Sequence, residues 1–471
     1  MSLWSAQEAA LATGGETAGD WQAEGVSIDT RTLQAGDLFV ALADQRDGHD
    51  FVAEALQKGA SAALVSRRPA DVLSDENLLY VQDVQAALEG LARAARQRSA
   101  AQVIAITGSA GKTSTKEMLR VMLQAQGKTH ASYASYNNHW GVPLTLASLP
   151  RDAAFAVVEI GMSNSGEIAP LARLVRPDAA LITTVAPAHL AAFENLEGIA
   201  REKAAIVQGL TAQGYAVLNA EAPCRSVMEQ AVAAKGCQSL WFGTGAAQAR
   251  IAQLSVKDGL TQVMASIGDL SLKFELHTVG RHFAMNALGA LALLSKLNAD
   301  VEKAARVLAQ WQPAEGRGMR HQLHASFGAF ELIDDAYNAN PVSMQAALDV
   351  LAQATSSRRV AFLGDMKELG ADERAHHSAL AQLPAIRNID LIHTAGPLMA
   401  ALHHSLPVEK RGQHFANAKE MAACVEVLLQ ADDCILVKAS LSSGLRQVVD
   451  AIKIISQSDP DCAARPVERK R

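Results

Sequence analysis

Short apolar runs alternate with stretches of helical periodicity along most of this chain, and the pattern changes character twice. Runs at 37–41, 62–65 and 78–81, with a helical segment at 51–58 between the first two, predict a small α/β unit over 1–83. An amphipathic helix over 84–98 leads into Val103-Ile104-Ala105-Ile106, and further strands are predicted at 154–160, 179–184, 215–219 and 239–242. Helical patterns separate several of them, which predicts a mostly parallel sheet covered on both faces. Between 250 and 277 the pattern becomes strict alternation, as in Leu270-Ser271-Leu272-Lys273-Phe274, predicting an antiparallel hairpin appended to that sheet. A helix over 282–297 follows. Pro313 and the glycine-rich 315–320 then interrupt the pattern and close a central unit over 84–313. A third unit over 314–456 carries runs at 330–334, 360–364, 390–394 and 434–438, predicting a parallel sheet of its own, and a polar tail at 457–471 is expected to be disordered.

Composition narrows the function classes. The 471 residues exceed what one core serves, 49% of them are apolar and 4% aromatic, the look of an α/β enzyme. The net charge is −6 and basic residues cluster only at the end (Arg465, Arg469, Lys470, Arg471), so no nucleic-acid partner is expected. Five scattered cysteines without C-x-x-C spacing read as reduced thiols, without zinc or disulfides. The first residues lack a basic-then-apolar leader, and the most apolar helical stretch, 283–294, is too short to span a bilayer and contains Asn286. A cytoplasmic protein without a membrane partner is the expectation.

The chemistry starts at Thr107-Gly108-Ser109-Ala110-Gly111-Lys112-Thr113-Ser114, between a β-branched run and a helical pattern. Strand, glycine loop, lysine, hydroxyl and helix form a polyphosphate cradle. Gly108 and Gly111 let backbone N–H groups converge, the helix N-terminus adds partial positive charge, Lys112 adds a full one, and the Thr113 hydroxyl suits the Mg²⁺ that accompanies a nucleotide. The loop is one residue shorter than the common G-x-x-x-x-G-K-[ST], counting Thr107 in the first glycine's place; a glycine-rich turn with a chance lysine is the plain alternative. Glu159 and His189 follow later apolar runs and so come out at the carboxyl edge of the same sheet, where ligands of open α/β sheets lie. Glu159 suits Mg²⁺ or a strand-end ion pair; His189 would suit a second metal. Two polar clusters, 27–31 and 46–50, sit at strand ends or loops, where ligand contacts concentrate; on composition alone turn chemistry with surface ion pairs is the favoured reading. Lys203, beside Glu202 in a helical stretch, reads by itself as a solvated surface lysine.

The order of T-G-S-A-G-K-T-S, N-N-H-W-G-V-P, V-E-I-G-M, A-P-A-H-L, H-F-A-M-N-A-L, E-G-R and D-D-A-Y-N-A-N-P resembles the Mur ligase family of ATP-dependent amino-acid ligases over nearly the whole chain. S-x-D-T-R, G-D-L-F-V-A-L and D-G-H-D-F near the start, with L-G-D-M-x-E-L-G late, are similar to the branch that adds D-alanyl-D-alanine to the UDP-N-acetylmuramoyl tripeptide. The resemblance implies an acyl-phosphate route to the pentapeptide precursor of peptidoglycan, with ATP, two Mg²⁺ ions, both small-molecule substrates and a monomeric protein. It implies that Thr113 and Glu159 hold the first metal, that His189 helps hold the second, and that Lys203 is carbamylated by CO2 and joins it. By the same resemblance Asn286 meets adenine, Arg317 reaches nucleotide phosphate, and Asp335 lies by the ribose or phosphate-side waters. Asp29, Thr30 and Arg31 belong to the UDP side, and Asn338, Asn340 and Asp365 to the dipeptide side.

The chain departs from the family pattern in three places. Thr184 stands in T-T-V where T-N-V is usual, Ala205 where a glutamate follows the modified lysine, and Val437-Lys438-Ala439-Ser440-Leu441 where V-K-G-S-R is expected, which removes an arginine. A sister ligase of the family, a folylpolyglutamate-synthase-like enzyme and a nucleotide-gated binding protein are the alternative readings.

Overall fold

The computed structural model describes residues 2–457 except positions 189 and 258. Three large sheets and one two-stranded sheet, Trp4–Ser5 against Gln22–Ala23, organise these residues. The first has five strands, in the order Glu16–Thr17, Leu78–Tyr80, Ala62–Val65, Asp37–Val40, Gly25–Ser27, parallel except for the first pair. Helix Val84–Arg98 starts where the Asp83 side chain accepts the Ala86 N–H, and it buries Leu88, Leu91 and Ala95 against Trp4 and Leu79. The same cluster takes in Ala147 of helix Gly141–Ala147, so this helix welds the first sheet to the second.

The second sheet has nine strands. Six run parallel, in the order Gln238–Gly243, Tyr215–Asn219, Ala179–Ile182, Gln102–Thr107, Phe155–Glu159, Thr129–Ala131. The expected hairpin is a three-stranded meander, Ala249–Lys257, Leu260–Ile267 and Leu270–Leu276, antiparallel within itself and joined to Gln238–Gly243 by a short parallel pairing. Helices cover both faces. On one, Met118, Leu119 and Met122 pack with helix Arg281–Leu294, eleven of whose residues are buried; on the other lie Val142, Ile168 and Ile199. At about 25 cal/mol per Å² of apolar surface, each fully buried leucine of Arg281–Leu294 contributes roughly 2 kcal/mol, so this helix is fixed by packing. Because the chain leaves Gln102–Thr107 for Thr129–Ala131 and later returns on the other side as Ala179–Ile182, the strand order reverses at Gln102–Thr107, where a crevice opens beyond the carboxyl ends.

The third sheet runs Met319–Ala325, Gly328–Asp335, Asp433–Lys438, Arg358–Gly364, Leu391–Ala395, Arg411–Phe415, parallel except for its first strand. Met319–Ala325 and Arg411–Phe415 escape the apolar-run signal because both are half-exposed edge strands with polar sequences. Of the expected tail, Gln457 closes helix Arg446–Gln457 and 458–471 lie outside the described residues. Among the described residues no helix is long and apolar enough to cross a membrane.

Candidate active site

Strand Gln102–Thr107 ends in the glycine loop, and helix Lys112–Gln124 begins directly after it. Gly108 and Gly111 adopt φ of 152° and 81°. A Cβ on Gly108 would stand 1.8 Å from Thr183 Oγ1, and one on Gly111 would stand 2.8 Å from the Asn286 amide, so both glycines are required by close approach. Lys112 Nζ donates to Gly108 O at 2.7 Å, curling the side chain back over the loop. Burial pulls its pKa down and Arg317 adds to this, while Glu159 opposes it. An anion in the loop would favour the charged form of this amine. A cavity of about 520 Å³ opens here, lined by Ser109, Ala110, Ser114, Asn286 and Asp335 among others.

Thr113 Oγ1 donates to Glu159 Oε2 at 2.9 Å, and Asn137 Nδ2 donates to Glu159 Oε1 at 2.7 Å. Glu159 is buried at the end of its strand, and its own N–H reaches Ser132 Oγ at 3.1 Å. A buried carboxylate held by a hydroxyl and an amide, facing a phosphate loop, is an oxygen donor set that fits Mg²⁺. Lys203 is 2% exposed and, among the described residues, its Nζ meets Met162 Sδ, at 3.7 Å. Its neighbour Glu202 turns away to accept the N–H groups of Gly166 and Ile168 at 2.8 and 2.7 Å. Burial drives the Lys203 pKa well below the usual lysine range, and the nearby Lys112 pushes it the same way. The surface ion-pair reading of Lys203 is therefore replaced by a buried amine, because the helix turns its lysine face toward Met162. His189 lies outside the described residues.

The third sheet closes the cavity from the far side. Arg317 Nη2 donates to Ser135 Oγ at 2.8 Å and its guanidinium lies 4.1 Å from the Tyr337 ring centroid. Asp335 Oδ2 accepts Lys438 Nζ at 2.7 Å, and the same ammonium donates to Asn338 O at 2.9 Å. Burial raises the Asp335 carboxyl, against the pull of Lys438. Asn340 caps helix Pro341–Ala352 and also donates from Nδ2 to Ser109 O at 3.1 Å, so it grips the phosphate loop itself.

Family models match three stretches of the chain: "Mur ligase family, catalytic domain" over 22–96, "Mur ligase middle domain" over 106–294 and "Mur ligase, glutamate ligase domain" over 319–441. The chain belongs to the Mur ligase family. Relatives carrying the name UDP-N-acetylmuramoyl-tripeptide–D-alanyl-D-alanine ligase include that of Escherichia coli, 36% identical over 91% of this chain and 94% of its own length. That of Bacillus subtilis is 34% identical over 90% and 92%, and that of Rickettsia prowazekii 30% over 95% and 99%. The crystal structure of MurF from Acinetobacter baumannii superposes with a TM-score of 0.84 at 29% identity, covering 96% of this chain and 99% of that one. The three-sheet α/β architecture is thus that of the Mur ligases.

Other expected positions lie apart from the cavity of this Mur ligase. Asp29 and Arg31 pair with each other on a surface loop, at 2.6 Å, with Arg31 81% exposed, and Thr30 O accepts Lys58 Nζ. Asp365 is buried; its Oδ1 accepts the N–H groups of Leu398 and Met399, and its Oδ2 accepts Lys367 Nζ at 2.9 Å. Of the three departures, Thr184 lines the cavity while Leu441 is exposed at the start of a turn. Sequence reasoning passed over Ser135, Tyr337, and Lys438 as a site residue. Lys438 left one readable signal, a lysine ending the apolar run Cys434-Ile435-Leu436-Val437.

Proposed function

We propose that this Mur ligase joins D-alanyl-D-alanine to UDP-N-acetylmuramoyl-tripeptide at the expense of ATP. The observation that carries the reading is the junction of Lys112, Thr113 and Glu159 with Arg317, Asp335 and Asn340, which unites a phosphate loop with groups from a second sheet around one cavity. The relatives named for this reaction cover nine-tenths or more of both chains, which supports the substrate assignment.

In the proposed reaction the terminal carboxylate of the tripeptide attacks the γ-phosphorus of ATP, an O–P bond forms and ADP leaves. The dipeptide amine then attacks the acyl carbon of the resulting acyl phosphate, and the tetrahedral adduct collapses to the amide with loss of phosphate and a proton. Two anions, the carboxylate and the triphosphate, must meet for the first step. Lys112 and Arg317 supply positive charge around them, in a site where burial makes each charge count for more than in water. Thr113 and Glu159 are the proposed ligands of Mg²⁺, which when bound neutralises phosphate charge. His189 and Lys203 are the proposed holders of a second metal. The fit of Lys203 rests on its being a buried amine whose charged form burial disfavours and which hydrogen-bonds no carboxylate among the described residues: its free-base form adds CO2 with loss of a proton, and the carbamate turns a misplaced cation into an oxygen donor.

The same reading assigns 1–83 with Asp29, Thr30 and Arg31 to the UDP moiety, 84–313 with Asn286 to ATP, and 314–456 to the dipeptide, in a monomer working in the cytoplasm. The deciding experiment is mass spectrometry of the product from UDP-tripeptide, ATP and D-Ala-D-Ala. Pentapeptide formed with stoichiometric phosphate supports the reading. Growth of product only with a different amine, such as a diamino acid or glutamate, would transfer the chain to a sister activity.

A further inference from the structure

Lys116 stands one turn beyond Lys112 on helix Lys112–Gln124, wholly buried and away from the cavity wall. A buried ammonium is costly unless its N–H groups all find acceptors. This one has three: Ser132 O at 2.8 Å, Ala134 O, and Glu117 Oε1 at 3.1 Å. Glu117 is held in turn by Arg120 at 2.6 Å. Two of the three acceptors are main-chain carbonyls of a single segment, 132–137, so what the ammonium fixes is the course of the backbone.

That segment needs an anchor. It leaves Thr129–Ala131, the outermost strand of the nine-stranded sheet, which pairs on one side only, with Phe155–Glu159. Ala134, whose carbonyl Lys116 holds, takes φ of 44°, a left-handed conformation that costs any residue with a Cβ. What the segment carries explains why its course matters. Ser132 Oγ accepts the Glu159 N–H at 3.1 Å, and Asn137 Nδ2 donates to Glu159 Oε1 at 2.7 Å. Ser135 Oγ accepts Arg317 Nη2 at 2.8 Å and lies 3.4 Å from Thr113 Oγ1. Six residues thus touch the carboxylate and the hydroxyl at the edge of the phosphate loop, and also the arginine that arrives from the third sheet.

We propose that Lys116 is a positioning residue: by holding the carbonyls of Ser132 and Ala134 it sets Ser135 and Asn137 so that Thr113, Glu159 and Arg317 stand ready for nucleotide. This rests on the reading that Thr113 and Glu159 receive Mg²⁺. The test is titration calorimetry of β,γ-imido-ATP with and without Mg²⁺ on the wild type, Lys116→Met, Asn137→Ala and the double variant, with hydrogen exchange followed by mass spectrometry. In the wild type Mg²⁺ tightens binding. In Lys116→Met that tightening falls roughly ten- to a hundredfold, the loss expected for a charge-assisted hydrogen bond. Affinity without Mg²⁺ holds, because Gly108, Gly111 and Lys112 are untouched. Exchange over 132–137 accelerates while Gln102–Thr107 stays protected. Asn137→Ala loses the Mg²⁺ effect with normal exchange elsewhere, and the double variant loses no more than the larger single one, since both act through Glu159. A Mg²⁺ effect that survives in Lys116→Met overturns the inference, as does equal weakening with and without Mg²⁺, the mark of a merely structural lysine. Where Lys116→Met fails to fold, Asn137→Ala decides, and a full Mg²⁺ effect there overturns the inference. A wild type indifferent to Mg²⁺ overturns the metal reading together with this inference, an outcome distinct from a Mg²⁺ effect that the variants keep.

Discussion

Replacing Lys438 by methionine keeps the volume of the side chain and removes its charge. Lys438 is 2% exposed and Asp335 19%, at 2.7 Å, so the substitution leaves a largely buried carboxylate without its cation and the Asn338 carbonyl without its donor. Breaking a fully buried pair from one side costs about 3–5 kcal/mol. Because a fifth of the Asp335 side chain remains open, the lower end, about 3 kcal/mol, is expected for Lys438→Met. Burial already raises the Asp335 carboxyl above its unfolded value, and loss of the lysine raises it further. The fold thus favours the protonated acid: the stability this group contributes is present below the unfolded carboxyl pKa and is lost as pH rises through the folded one. The deficit of Lys438→Met should therefore be largest at neutral pH and shrink in acid. Asp335→Asn in the Lys438→Met background should recover part of the loss, since an amide is cheaper to bury than an unpaired carboxylate. Urea unfolding of the wild type, both single variants and the double variant measures the coupling. Additive effects within about 0.5 kcal/mol, or a deficit independent of pH, would refute the reasoning.

Lys112→Ala should lower kcat/KM for ATP by at least about a hundredfold, the loss typical of one charge-stabilising donor, with the thermal midpoint little changed; phosphate-release assays and calorimetry check the two halves. Gly108→Ala meets Thr183 Oγ1 at 1.8 Å in a backbone conformation with φ of 152°, so nucleotide binding by titration calorimetry should be lost even where the chain still folds. Depleting CO2 should reduce activity and bicarbonate should restore it, with a carbamate carbon signal from ¹³C-bicarbonate that is absent in Lys203→Ala. An enzyme indifferent to CO2 would leave Lys203 as a buried amine with no assigned chemistry.

The local parts of this protein are legible without its fold. A β-branched run, two glycines, a lysine and a hydroxyl before a helical pattern specify the phosphate loop because its turn is made within about ten residues, and the apolar strands follow from periodicity for the same reason, while the polar edge strands Met319–Ala325 and Arg411–Phe415 do not. Glu159 falls at the carboxyl edge by counting along its strand. What only the tertiary structure decided are pairings across long loops: Asn340 with Ser109, Arg317 with Ser135, Lys438 with Asp335, separated by 231, 182 and 103 residues. Burial belongs to the same class. Lys203 reads as a solvated helix lysine until packing removes its water, and Asp365 reads as lining a site until its oxygens are seen anchoring backbone N–H groups and Lys367. Desolvation and partner choice depend on which surfaces meet, and no window of sequence contains both surfaces.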